Sequence, residues 1–82
     1  MNSKLIEAHR FHANNKSMLM KDNKCGCFFC LEIFHPTEIK EWVNDTDGTA
    51  ICPYCGIDSV IGESSGYPIS RDFLSEMKQY WF

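Results

Sequence analysis

Two pairs of cysteines stand out in this 82-residue chain: Cys27-Phe28-Phe29-Cys30 and Cys52-Pro53-Tyr54-Cys55-Gly56, with 21 residues between them. Thiolates are soft ligands, and two C-x-x-C pairs supply the four that one tetrahedral ion requires. With Zn–S bonds of about 2.3 Å, two sulfurs on one ion lie under about 4 Å apart, a separation that a tight turn with two intervening residues delivers. In the zinc-knuckle form C-x-x-C-G, the glycine takes a backbone conformation that other residues reach poorly. Gly56 fills that place in the second pair. Leu31 stands there in the first, whose knuckle is therefore less standard. The gap exceeds the roughly 15–20 residues typical of ribbons, and the extra length only extends a hairpin. The expected metal ligands are Cys27, Cys30, Cys52 and Cys55. The expected ion is zinc, with iron as the alternative on the same four sulfurs.

The remaining chemistry-bearing residues carry weaker signals. Cys25 is a fifth thiol, readable as a spare, a substitute ligand or a reactive group, and most simply as a small buried hydrophobe. Five cysteines make an odd count, which argues against a closed disulfide framework. The Cys52-Pro53-Tyr54-Cys55 string also matches the glutaredoxin active site. That motif opens a helix in its own fold, whereas here a glycine and an expected strand follow. His9 and His12 stand three residues apart without an evident third ligand. His35 is a conceivable replacement ligand at a strand end. Asp45, Asp47 and Gly48 resemble part of a calcium loop, but residue 56 is Gly where the closing Glu would stand, so they read as a turn. Ser59 lacks a base for nucleophilic work and is expected to form local hydrogen bonds to the knuckle or the loop. Phe28, Phe29 and Tyr54 sit between ligands, where they either shield the thiolates or form a recognition patch.

These residues need elements to position them. Residues 3 to about 20 read as a helix capped by Ser3, with Leu5, Ile6, His9, Ala13 and Met20 near one face. Asn14-Asn15 weakens its middle. Gly26 suggests a turn, and Leu31–Phe34 alternate as a strand stopped by His35-Pro36. Thr37 is expected to cap one helical turn over 38–43 that groups Ile39, Trp42 and Val43. Asn44-Asp45-Thr46-Asp47-Gly48 is the clearest turn. Thr49–Ile51 runs as a strand into the second knuckle, and Ile57–Ile61 is the expected return strand. Ser70 caps a final helix over 71–81 with an apolar stripe of Phe73, Leu74, Met77, Tyr80 and Trp81. A strand after the second knuckle favours a zinc ribbon over a treble clef.

Composition narrows the class. A hydrophobic fraction of 44% suits a globular fold, and 82 residues suit one domain whose modest core a metal would supplement. No apolar leader and no run near the roughly 18 apolar residues of a membrane span is present. The expectation is a cytoplasmic protein with reduced thiols and no membrane role. The net charge of −3 hides an asymmetry. Residues 1–24 carry five basic groups against two acidic, and residues 25–82 carry three against nine. That balance opposes a nucleic-acid surface centred on the ribbon and leaves the N-terminal segment for phosphate contact.

A longer pattern adds to this: Cys25-Gly26-Cys27-Phe28-Phe29-Cys30, Phe34-His35-Pro36-Thr37-Glu38-Ile39, Trp42, Cys52 through Gly62, Gly66-Tyr67-Pro68-Ile69 and Phe73-Leu74. On these residues the chain resembles a group of small, uncharacterised bacterial proteins described as cytoplasmic. The likeness covers most of the chain and implies a zinc-ribbon-like fold without a known activity. More distantly, over eight or ten residues, the paired knuckles resemble rubredoxin and the zinc ribbons of transcription and ribosomal proteins. The expected architecture is small α+β: a zinc ribbon over 25–62, with two knuckles on β-hairpins, an N-terminal helix within 1–24 and a C-terminal helix within 67–82. The expected function is that of a non-enzymatic structural-zinc protein that binds a protein partner, with homodimerisation possible. The alternatives are a nucleic-acid-binding zinc ribbon and a rubredoxin-like iron or thiol redox protein.

Overall fold

The computed structural model describes residues 3–44 and 47–82, leaving Met1, Asn2, Asp45, Thr46 and the Ser3 side chain outside the description. The expected Ser3 cap and the Asp45 part of the expected turn fall there. The elements are α1 (Ser3–His9), α2 (Lys16–Leu19), α3 (Arg71–Trp81) and five short strands: β1 (Cys25–Cys27), β2 (Ile33–Phe34), β3 (Glu41–Val43), β4 (Thr49–Ile51) and β5 (Val60–Gly62). Short 3-10 turns over Arg10–His12, Pro36–Glu38 and Glu63–Ser65 link them. The result is a small α+β fold with two antiparallel sheets. One is ordered β2-β1-β5, and the other is the pair β3-β4.

The single N-terminal helix expected to about residue 20 is in fact broken. Asn14 takes a left-handed backbone at φ 51°. Asn15, at the start of α2, makes no side-chain cap there and instead buries its amide almost fully in the core. Its Nδ2 donates to the Phe11 and Val60 carbonyls, both at 2.8 Å, and its Oδ1 accepts from the Ala50 N–H at 3.1 Å. One side chain thus joins the helix break to β4 in one sheet and β5 in the other. One local and two long-range side-chain hydrogen bonds outcompete a continuous helix here. The break resets the helical phase, so Leu5, Ala8 and Leu19 are buried while Ile6 and Met20 face outward.

Residues 38–43 do not form the expected helical turn. The His35 Nδ1 accepts from the Thr37 N–H at 3.1 Å, and Glu38 Oε2 accepts from the His35 N–H at 3.3 Å, which closes a capping box around Pro36–Glu38. The chain then extends at Ile39, and Glu41–Val43 pairs with Thr49–Ile51. A β-rich triplet facing a neighbouring strand gains ladder bonds that an isolated turn lacks. Ile39 is buried, Trp42 half-buried and Val43 exposed, so the three do not share one apolar side. The strand expected over Leu31–Phe34 shrinks to Ile33–Phe34 because Leu31 belongs to the knuckle.

The return strand also departs from expectation. β5 pairs not with β4 but with β1, in the register Cys25↔Gly62, Gly26↔Ile61 and Cys27↔Val60. Only the first knuckle therefore sits on a hairpin whose two strands pair, β1 and β2. The second is fed by β4 and exits into the other sheet.

α3 spans Arg71–Trp81 as the sequence predicts, with the Ser70 Oγ accepting from the Phe73 N–H at 3.2 Å. Its buried stripe is Phe73, Leu74 and Met77, packed with Leu5, Ala8, Phe28 and Ile61. The outer end of the expected stripe differs: Tyr80 is exposed, and Trp81 lies over α1 with its Nε1 donating to the Leu5 carbonyl at 3.2 Å. Gly26 permits this packing, since a Cβ there would stand 2.7 Å from Leu74 Cδ1. A second buried cluster, including Leu19, Phe34, Ile39, Ala50 and Val60, surrounds Cys25, Cys27 and Cys52. No helix among the described residues is long and apolar enough to cross a membrane.

Candidate metal centre

The two C-x-x-C segments fold into the same turn twice. In the first, the Cys27 N–H donates to the Glu32 carbonyl at 3.0 Å and the Leu31 N–H to the Cys27 carbonyl at 2.9 Å. In the second, the Cys52 N–H donates to the Ile57 carbonyl at 3.0 Å and the Gly56 N–H to the Cys52 carbonyl at 2.9 Å. Amides inside each turn aim at the leading sulfur. Phe29 N–H lies 3.3 Å and Cys30 N–H 3.5 Å from Cys27 Sγ, and Tyr54 N–H lies 3.4 Å from Cys52 Sγ. Such a turn requires a left-handed residue after the second cysteine, and Gly56 supplies it at φ 78°. Leu31 adopts the same region at φ 69° despite its side chain.

The knuckles face each other and bring their four sulfurs together. Ligand atoms of Cys27, Cys30, Cys52 and Cys55 all lie within 4.8 Å of one another. Two contacts run between the knuckles: Cys27 Sγ to Cys55 Sγ at 3.6 Å and Cys30 Sγ to Cys52 Sγ at 3.7 Å. Sulfurs on a tetrahedral zinc stand about 3.8 Å apart, given bonds of about 2.3 Å. Disulfide-bonded sulfurs stand about 2.05 Å apart. The observed spacing suits a shared cation. Among the described residues this is the one group of three or more Cys, His, Asp or Glu side chains so clustered.

The electrostatics of the four thiols are unequal. Burial pushes Cys30, Cys52 and Cys55 up to about 11. Burial also raises Cys27, but hydrogen bonds from Ser59 and from the Cys30 and Phe29 amides outweigh it and hold this thiol below its ordinary value. Cys27 and Cys52 are buried, whereas Cys30 and Cys55 are half-buried and form the outer edge.

The other candidate residues lie elsewhere. Cys25 is fully buried outside the cluster, with its Sγ 3.4 Å from the Phe34 carbonyl. Burial, reinforced by the Asp22 and Glu38 charges, pushes it up to about 12, so it is no ready thiolate. His35 is spent on its capping box. His9 stacks on Trp81 at 3.9 Å, and His12 Nδ1 lies 3.0 Å from the Asp58 carbonyl. Asp47 accepts from the Ser17 N–H at 3.1 Å and hydroxyl at 2.6 Å, which pins the turn to α2. Ser59 does bond to a knuckle, though across the molecule: its Oγ lies 3.1 Å from Cys27 Sγ. Spacing along the chain gave no sign of which knuckle it would meet.

At the tip of the first knuckle, Phe28 is buried and Phe29 half-buried, and the exposed Phe82 ring packs edge-on against Phe29 at 4.9 Å. Lys78 Nζ lies 5.1 Å from the Phe29 ring centre. Tyr54, on the second knuckle, is exposed and donates its hydroxyl to Glu38. Comparison with protein-family models, curated proteins and solved structures finds no match for this chain.

Proposed function

We propose that Cys27, Cys30, Cys52 and Cys55 hold one zinc ion as a closed structural site, and that the chain is a zinc-ribbon-type module that binds a protein partner. The observation that carries the metal reading is the convergence of four sulfurs within 4.8 Å, with 3.6 and 3.7 Å contacts between knuckles. Four protein thiolates complete zinc's tetrahedral shell and leave no position for water or substrate, which favours a structural role over a catalytic one. The same sulfurs would accept one iron, a redox reading that rests on identical geometry. The partner-binding reading is supported by Phe82, Tyr80 and Trp81, which are 61%, 41% and 37% exposed at the end of α3, beside the first knuckle. Exposed aromatic residues grouped in this way are typical of interface cores.

Elemental analysis of untagged protein tests the metal reading. The expected result is one zinc per chain, with sulfur-only coordination by X-ray absorption. Less than about half an equivalent of any metal, together with intact disulfides, would overturn it. One equivalent of iron with a reversible one-electron couple would replace it with the redox reading.

A further inference from the structure

We infer that Ser59 is a positioning residue of the metal centre: its hydroxyl donates to the Cys27 sulfur and makes Cys27 the anchoring ligand, the last of the four to leave the ion. This inference rests on the metal reading above. Its basis is an asymmetry that the doubled turn does not require.

Both leading cysteines receive amide hydrogen bonds from their own turns, but only Cys27 has a hydroxyl among its described contacts. Ser59 lies just ahead of β5, and the pairing of β5 with β1 carries it to the first knuckle. Its carbonyl accepts from the Phe28 N–H at 2.9 Å, so the backbone beside Ser59 is tied to the backbone beside Cys27. The residue is 2% exposed, which keeps water from competing for the hydroxyl. A metal-bound thiolate has no proton to give, so the serine must be the donor.

Each donor draws charge from the sulfur it faces. A sulfur with three donors is a weaker nucleophile and a weaker base than one with fewer, and hydrogen-bonded ligands hold their orientation. Cys30 and Cys55 form the half-buried outer edge of the cluster. Exposure therefore directs attack to that edge. Between the two buried ligands, Cys27 and Cys52, exposure barely differs, at 0% and 2%. The Ser59 hydroxyl decides between them.

The test uses the full chain and cobalt(II) as a reporter. Wild type, Ser59→Ala and Ser59→Thr are titrated with Co(II), and the sulfur-to-cobalt charge-transfer band and affinity are read. Wild type should show the intense band of four thiolates. Its absence would overturn the metal reading itself. Ser59→Ala should keep the band, moved to longer wavelength, with affinity lower by about tenfold. Ser59→Thr should restore both. An alanine variant with wild-type band and affinity would overturn the inference while leaving the metal reading intact.

A second measurement on wild type covers the case of a variant that does not fold. The zinc-loaded protein is exposed to N-ethylmaleimide during slow chelation, and labelled cysteines are mapped by mass spectrometry. Cys30 and Cys55 should label first, then Cys52, and Cys27 last. Labelling of Cys27 together with or before Cys52 would overturn the inference.

Discussion

Leu31 and Gly56 occupy the same place in two copies of one turn. Each follows the second cysteine of its pair, each has positive φ, at 69° and 78°, and each donates its N–H to the leading cysteine's carbonyl at 2.9 Å. A left-handed conformation costs a residue with a Cβ about 1–2 kcal/mol. No atom lies within 4 Å of a Cβ built on Gly56, so Gly56→Ala tests that conformational cost without a clash. The expected outcome in urea unfolding is a loss of about 1 kcal/mol with metal content unchanged. Leu31→Gly relieves the same strain but gives up packing against the core that Leu5, Phe28 and Leu74 form. The net loss there should stay under about 2 kcal/mol, below that of an ordinary buried leucine truncation.

Removing the metal should unfold at least the region around the knuckles. Structural zinc can contribute about 10 kcal/mol or more, which matches the net stability of a small domain. A strong chelator should abolish the near-UV circular dichroism and lower the melting temperature. An unchanged melting curve after complete metal removal would show that the core suffices. Cys25→Ser should leave metal content unchanged, and Cys25 should react with iodoacetamide only after unfolding, given its full burial.

Asn15→Ala removes three hydrogen bonds and strands the buried Ala50 N–H and Val60 carbonyl positions. Unsatisfied buried backbone groups cost about 1–3 kcal/mol each in destabilising variants. The expected loss is at least about 2 kcal/mol by denaturant unfolding. A loss below about 0.5 kcal/mol would mean that water replaces the side chain.

His9 gives the stability a pH dependence. Burial lowers its pKa first, the neighbouring His12 charge lowers it further, and Asp58 opposes both. The folded state therefore binds a proton less readily than the unfolded state. Above the ordinary value of 6.5 this has no effect, and as pH falls from 6.5 through the lowered folded value, stability declines. His9→Gln should flatten this part of the melting-temperature profile, below the ordinary value of 6.5. The comparison with wild type separates it from acid release of metal, which both proteins share.

Trp81→Ser with Phe82→Ser should leave zinc bound and change oligomeric state or capture of a partner, read by sedimentation and by cross-linking in cells. The nucleic-acid alternative makes a different prediction. Binding of RNA or DNA at micromolar protein would fall steeply with salt and would vanish on neutralising Lys4, Arg10 and Lys16. That result would displace the protein-partner reading.

The parts of the molecule that were legible in the sequence are those set by short-range chemistry. The C-x-x-C spacings bring four sulfurs together, Ser70 caps α3, and Gly56 takes its left-handed turn. Choices made between distant segments were not legible. Asn15 breaks a helix because Val60 and Ala50 wait for its amide, and neither lies within 30 residues of it. Trp42 enters a strand because β4 stands beside it. Leu31 takes its left-handed backbone while its side chain packs against a core drawn from α1, α3 and β5. β5 joins β1, and no local pattern distinguishes that partner from β4.

The pairing of β1 with β5 also orders events during synthesis. β1, the central strand of its sheet, is completed at Cys27, yet its second neighbour begins only at Val60. Cys27 and Cys30 therefore leave the ribosome well before Cys52, Cys55 and Ser59 exist to meet them. For that interval the first knuckle is a two-thiolate half-site on an unpaired strand edge, exposed to stray metals and to neighbouring chains. Assembly becomes favourable only when the second knuckle and β5 emerge together, and closure of the cage then coincides with closure of the sheet.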